Sequence, residues 1–264
     1  MILDPVNSVA SLDFYKKVAG QSVWRSLLYL CYLGGLFAVL CTFAIKLKVG
    51  PIIDETFNWL ARSVPTMTYA NGRVTSSSPG PLKLQHPRMP EIAVMIDTTR
   101  TDAVTPQQLE EAKVMAFLSA SAFYLRHQSG KVEVYDLSKT PSGTRPLTID
   151  PAFFRTANTL MSRVLYPLAL VITFGVFLIW KLLSSLIYSV VALLINAIGA
   201  GGLAYSELFN IAVYAQTLVV FLQILALFLP FTIPALPLLS ILITSVYLWL
   251  AVKRQSPSSP PALA

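Results

Sequence analysis

The chain has 264 residues, of which 55% are hydrophobic and only 12% charged. A soluble domain carries about 25% charged residues, so the composition belongs to the membrane class. The net charge of +7 comes from scattered residues, with no basic run interleaved with aromatics, which argues against a nucleic-acid partner.

Residues 1–26 form a short polar segment that holds Lys16, Lys17 and Arg25, with Phe14 and Tyr15 suited to a membrane interface. From Leu27 to Ile45 the chain is apolar and uncharged, long enough for one bilayer-spanning helix. Lys46-Leu47-Lys48 follows where a small-residue cleavage site would stand, so an uncleaved signal anchor is expected rather than a removed leader. Cys31 and Cys41 both lie in this span, roughly 15 Å apart along a helix, too far to bridge each other.

Most of the charged residues fall between Lys46 and Arg163, a stretch the size of one ordinary domain. Gly50-Pro51 suits a helix start. Ile53, Phe57, Leu60 and Val64 then form an apolar stripe beside Trp59. The stripe fits either a helix on the membrane surface or one packed on its own domain. Asn71-Gly72 between two short β-prone runs predicts a two-residue hairpin. Ser76 to Pro90 reads as a loop, and Glu91 to Ile96 as a buried strand. Thr105-Pro106 is a helix cap, with a stripe of Val114, Phe117, Leu118, Ser121 and Leu125 that predicts a helix to about His127. Lys131 to Leu137 alternates as a second strand, and Asp150-Pro151 opens a helix that continues into the membrane. The expected fold is an α-helical integral membrane protein of about four spans. A small α+β extracytoplasmic domain, 46–163, is inserted between the first two.

From Val164 to Gly202 the chain is apolar apart from Lys181. No glycine or proline marks a turn near Lys181, which favours one long helix with the lysine snorkelling to the headgroups and 186–198 as an interfacial or re-entrant piece. Two short helices turning at Lys181, for five spans, is the alternative. Gly199-Ala200-Gly201-Gly202 reads as a connector, Leu208–Leu229 and Leu236–Val252 as the last two spans, and 253–264 as a disordered cytoplasmic tail. The domain plan is therefore 1–26, span 27–45, 46–163, a bundle over 164–252, and the tail.

Asp97-Thr98-Thr99 at a strand end resembles the aspartic-protease loop. That chemistry needs a second carboxylate and a glycine where Thr99 stands, so the expectation is a loop that bonds to itself. His86 and His127 lack further ligands at metal spacing. No catalytic, metal or cofactor site is expected. The polar residues at membrane depth draw more interest, because ionisable groups there are costly. The candidates are Lys181, Glu207, Asn210 and Gln216, with Gln223 one heptad beyond Gln216 on the same face. They serve either interhelical hydrogen bonding or a polar path.

Several pieces in order carry a family resemblance. They are Phe14-Tyr15 with Gln21-Ser22, Val64-Pro65 before Asn71-Gly72, the Val94-Met95-Ile96-Asp97-Thr98-Thr99 strand end, and Tyr205-x-Glu207-Leu208 leading to Tyr214-Ala215. Together they resemble the bacterial membrane family called domain of unknown function 1189, over nearly the whole chain. The last piece also resembles the Yip-type membrane fold, with Gln216-Thr217-Leu218 where that pattern often continues in a proline. The resemblance implies no enzymatic activity, and some members carry a maltodextrin-utilisation name. The functional expectation is a non-enzymatic accessory or sensor protein of the bacterial inner membrane. Its partners would be the lipid bilayer and a membrane or envelope protein. A lipid, small-solute or maltodextrin transport component is the alternative. Basic residues beside the first and last spans place both termini in the cytoplasm.

Overall fold

The computed structural model describes residues 3–78, 80–90, 92–127, 129–139, 146–199 and 202–255. The residues expected as a tail from Ser256 to Ala264, the strand start at Glu91, and Ala200 and Gly201 of the expected connector lie outside them. In chain order the helices and strands are α1 (Asp4–Ala10), α2 (Phe14–Ala19), α3 (Val23–Ser63), β1 (Met67–Ala70), β2 (Arg73–Ser76), β3 (Leu82–Gln85) and β4 (Ala93–Asp97). There follow α4 (Pro106–Glu111), β5 (Ala116–Ser119), β6 (Ala122–Arg126), β7 (Val132–Asp136), β8 (Leu147–Ile149), α5 (Pro151–Ile198), α6 (Tyr205–Ala215), α7 (Thr217–Phe228) and α8 (Leu236–Lys253). Four helical stretches are long and apolar enough to cross a membrane: α3, α5, the Tyr205–Phe228 stretch and α8. The chain divides into a helical unit, Met1–Leu47 with Leu165–Ala264, and a strand-bearing unit, Lys48–Val164.

In the helical unit the outward faces carry bare apolar side chains such as Val171, Val176 and Ile179, as a lipid-facing surface requires. The interior is built on Tyr29, Leu33, Leu208, Ile211, Tyr214 and Leu248, all essentially without solvent contact. Tyr29 and Tyr214 stack in parallel, 3.9 Å between ring centroids, and the Tyr29 hydroxyl shares a 2.9 Å hydrogen bond with Thr217 Oγ1. The polar N-terminal segment is folded, and Tyr15, expected at a membrane interface, is a core residue instead. The segment forms α1 and α2, which pack on α6 and bury Tyr15 and Val18 completely. Tyr15 donates to the Ser8 carbonyl at 2.9 Å, and burial pushes its phenol above the usual tyrosine range. Tyr247 of α8 donates to the Val9 carbonyl, and the Arg254 Nε donates to Asp13 Oδ1 at 3.2 Å. The described ends of the chain thus meet on one side of this unit.

Three expectations for the strand-bearing unit are corrected. First, α3 does not restart at Gly50-Pro51 but runs through Pro51 for 41 residues. Proline there removes a single ladder donor, a cost of about 3 kcal/mol in a helix interior. The Phe57, Trp59, Leu60 and Val64 stripe packs on the unit's own core with Met67, Val74, Ile96 and Phe154, so the domain-packed reading of that stripe holds. Second, the expected Ser/Pro loop contains β3, an edge strand whose Leu84 reaches the same core. Third, α4 stops at Glu111. Lys113 takes a left-handed φ of 51°, and residues expected to continue the helix form β5 and β6 instead. Val114, Phe117 and Leu118 satisfy a helical stripe and a short buried strand equally, an ambiguity intrinsic to apolar runs of this length. The Thr105 cap itself is present, with Gln108 returning the hydrogen bond.

The strands form a sheet ordered β2-β1-β8 and a second ordered β3-β4-β5-β6-β7. Only β4 and β5 pair in parallel among the described strands, and α4 supplies the crossover that a parallel pair needs. The β1–β2 hairpin turns at Asn71-Gly72 with φ of 53° and 76°, as the pair predicts.

Candidate functional site

The sequence singles out polar residues in apolar helices, and the structure sorts them into two sets. The first set is internally satisfied. Asn210, 1% exposed, donates to the Gln21 carbonyl at 2.7 Å and accepts from Ser26 Oγ at 2.7 Å; Gln21 Nε2 in turn donates to Ser26. This network ties α6 to the start of α3 and the end of α2. Glu207 sits in the first turn of α6, where its carboxylate accepts the Ala204 N–H at 2.7 Å. It is a helix-capping acid, favourable at a helix N-terminus.

The second set surrounds Lys181. This residue is on α5, which continues without a turn for 48 residues, so the one-helix reading holds against the hairpin. The lysine does not snorkel outward. It is 5% exposed, and its ammonium lies 5.9 Å from the Phe177 ring centroid. Among the described residues no carboxylate pairs with it. It lines a cavity of about 320 Å³ between α5, the α6–α7 stretch and α8. Ser184 and Tyr188 come from α5, Gln216 and Gln223 from the α6–α7 stretch, and Ser240 and Thr244 from α8.

Gln216 is midway along Tyr205–Phe228, and Thr244 is near the middle of α8. One turn before Lys181, α5 packs Phe174, Phe177 and Leu178 against Gly34, well inside the α3 span, where even a Cβ would meet them at 3.1 to 3.3 Å. The cavity is therefore lined from the middle of the Tyr205–Phe228 stretch and the middle of α8. Gln216 stands between α6 and α7 with right-handed backbone angles (φ −81°, ψ −6°), and its carbonyl accepts the Val220 N–H at 3.0 Å. Its Nε2 donates to Ser185 Oγ at 2.8 Å and to the Ala212 carbonyl at 3.3 Å.

Lys181 and Gln216 are thus brought together, while Glu207 and Asn210 serve local structure. Ser184, Tyr188, Ser240 and Thr244 escaped sequence reading. Their signal was spacing: Lys181, Ser184 and Tyr188 share one face of α5, and Ser240 and Thr244 are one turn apart on α8.

In the strand-bearing unit, Asp97 Oδ1 accepts the Thr99 N–H at 3.1 Å and the Thr99 hydroxyl, closing the strand-end loop on itself. Thr98 lies in that same loop. His86 is buried and accepts the Arg88 and Met89 N–H groups at Nδ1, both at 3.2 Å, with Thr56 Oγ1 at 3.5 Å from Nε2 and the Trp59 ring edge-on. Two donors at Nδ1 assign the Nε2–H tautomer. His127 pairs with Glu133 at 3.2 Å on the β6–β7 hairpin. Among the described residues no three of His, Cys, Asp and Glu gather as metal ligands.

Residues 6–252 match the family described as Protein of unknown function (DUF1189). The chain belongs to the DUF1189 family. The match covers both units. No curated protein and no solved structure matches the chain.

Proposed function

We propose that this DUF1189 protein is a non-enzymatic accessory or sensor protein of the bacterial cytoplasmic membrane. Its helical unit receives a ligand, and its α+β unit, inserted between the first two spans and lying outside, engages an envelope or membrane partner. The observation that carries this reading is α5. One uninterrupted helix contributes Phe154 to the core of the strand-bearing unit and Lys181 to the polar cavity. A change in how Lys181 is neutralised acts on the same helix that the outer unit is built upon. The orientation draws support from the Arg254–Asp13 contact, which fits an even number of spans, and from Lys16, Lys17, Arg25 and Lys253 near the cytoplasmic ends.

The test is hydrogen exchange on the full chain in nanodiscs of its native lipids, comparing wild type with Lys181→Met. The proposal expects altered exchange at β8 and the first turns of α5. Unchanged exchange there, or a hydrolytic activity lost in Asp97→Ala, contradicts it.

Transport of a lipid or small solute is the second reading, favoured by the polar lining of a cavity between apolar helices. It expects Lys181→Leu to abolish a transport phenotype while the protein still inserts. Glu207→Gln, which keeps an amide acceptor for the Ala204 N–H, leaves that phenotype intact.

A further inference from the structure

The cavity also indicates what would fill it. A buried cation without a counter-charge is costly, and the cost is removed when an anion arrives. Lys181 supplies three N–H donors. Ser184, Ser240 and Thr244 each spend their hydroxyl hydrogen on a carbonyl of their own helix, leaving oxygen lone pairs free to accept. The walls therefore suit an oxyanion with hydroxyl or amide donors beside it.

The way in is equally specific. Trp180 is 66% exposed and Ile241 55% exposed, and both border the cavity. They place an apolar rim between α5 and α8 on the face that meets lipid tails. Above and below it α5 bares Val176, Ile179, Leu183 and Ile187 and α8 bares Leu238 and Leu242, so a water-soluble anion would have to pass an apolar belt that suits an amphiphile. The volume of about 320 Å³ is at the lower end of ligand pockets, enough for a head group but not for its acyl chains.

We infer that the cavity binds the oxyanionic head of an acyl lipid, a phosphate diester or a carboxylate, which enters sideways between α5 and α8 while its chain stays in the bilayer. The inference rests on reading the helical unit as the ligand-receiving part. Lys181 pairs with the oxyanion, the Gln223 amide is within the same lining to donate a further hydrogen bond, and the hydroxyls of α5 and α8 accept from the head group's own donors.

The experiment places the full chain in phosphatidylcholine nanodiscs containing either phosphatidylglycerol or oleate and counts retained lipid by native mass spectrometry. Wild type should retain one of these two anionic lipids in preference to phosphatidylcholine. Lys181→Met should reduce that retention about ten- to a hundredfold, the scale of losing one charge-assisted hydrogen bond. Lys181→Met also removes a buried charge, so it is expected to fold; a single symmetric peak on size exclusion checks this. Lys181→Arg should keep retention, and Ile241→Trp, which narrows the rim without touching the cation, should lower it. Equal retention by wild type and Lys181→Met overturns the inference. So does displacement of the lipid by inorganic phosphate alone with no effect of Ile241→Trp, which would indicate an aqueous route. If retention depends on Lys181 while exchange in the strand-bearing unit does not, the lipid site stands and the sensor reading fails. If exchange responds and retention does not, this inference fails alone.

Discussion

Replacing Asn210 by leucine should weaken the helical unit without disturbing the cavity. Leucine has the branched skeleton of asparagine but presents neither a donor nor an acceptor. The Gln21 carbonyl then loses the 2.7 Å bond from Asn210 Nδ2, and the weaker 3.5 Å approach to the Ala19 carbonyl goes with it. Ser26 loses its acceptor, but a helical serine can turn to a carbonyl of the preceding turn, so its loss is small. One orphaned buried carbonyl costs about 1–3 kcal/mol. Interhelical hydrogen bonds inside membranes measure about 0.6 kcal/mol on average and up to about 1.7, because the unfolded chain also finds partners. The two ranges overlap at about 1–2 kcal/mol, and that is the expected loss. It should appear in reversible unfolding by SDS titration in mixed micelles, followed by tryptophan fluorescence. Because Asn210 anchors α2, protease cleavage between Ala19 and Ser22 should also rise. In a double-mutant cycle with Ser26→Ala the pair should couple. Unchanged unfolding and no coupling, together with lost lipid retention or a lost phenotype, would show that Asn210 belongs to the functional site after all.

Three further outcomes follow from the strand-bearing unit. Gly72→Ala should destabilise it by about 1–3 kcal/mol, since φ is 76° and a Cβ would stand 2.9 Å from the Ser138 Cα; thermal unfolding of the full chain measures this, and a neutral effect would show that the turn relaxes freely. His86→Leu removes the acceptor of two backbone N–H groups and should cost about 2–4 kcal/mol, whereas His86→Asn, which restores one acceptor, should recover part of it. The Tyr135 hydroxyl, and after it His127, hold the Glu133 carboxyl below its ordinary value of 4.5. Its folded pKa is depressed, so any contribution to the β6–β7 hairpin is present above pH 4.5 and fades as pH falls through the lowered value. Tyr135→Phe should return the Glu133 titration toward 4.5 in a carboxyl NMR experiment, and an unmoved midpoint would remove the hydroxyl as the cause.

Local chemistry decided which features were legible. The hairpin was readable because Asn-Gly tolerates the two positive φ angles of a type I′ turn. The continuity of α5 past Lys181 was readable because nothing between Trp180 and Ser185 can break a helix, but its unbroken run through 186–198, expected as an interfacial or re-entrant piece, was not. The error at α4 came from a run, Val114 to Arg126, whose apolar residues satisfy two periods at once; pairing with β4 and the left-handed Lys113 select the strand. Helices α1 and α2 were invisible because each is shorter than an isolated helix can sustain, and only docking on α6 forms them. At the site, Lys181 and Gln216 stood out as polar residues in apolar helices. Glu207 and Asn210 stood out equally, and only their hydrogen bonds separate them from the cavity. The hydroxyl residues drew no attention because serine and threonine are cheap in a membrane helix whenever they bond to their own backbone.

The account depends most on where the strand-bearing unit lies. Single cysteines at Thr75 and at Ser11, each in a background with Cys31 and Cys41 replaced by alanine, can be probed in intact spheroplasts with a membrane-impermeant maleimide. The account predicts that Thr75→Cys is labelled from outside and that Ser11→Cys reacts only after the membrane is opened. Labelling of Ser11→Cys in sealed spheroplasts, with Thr75→Cys protected until lysis, would contradict it.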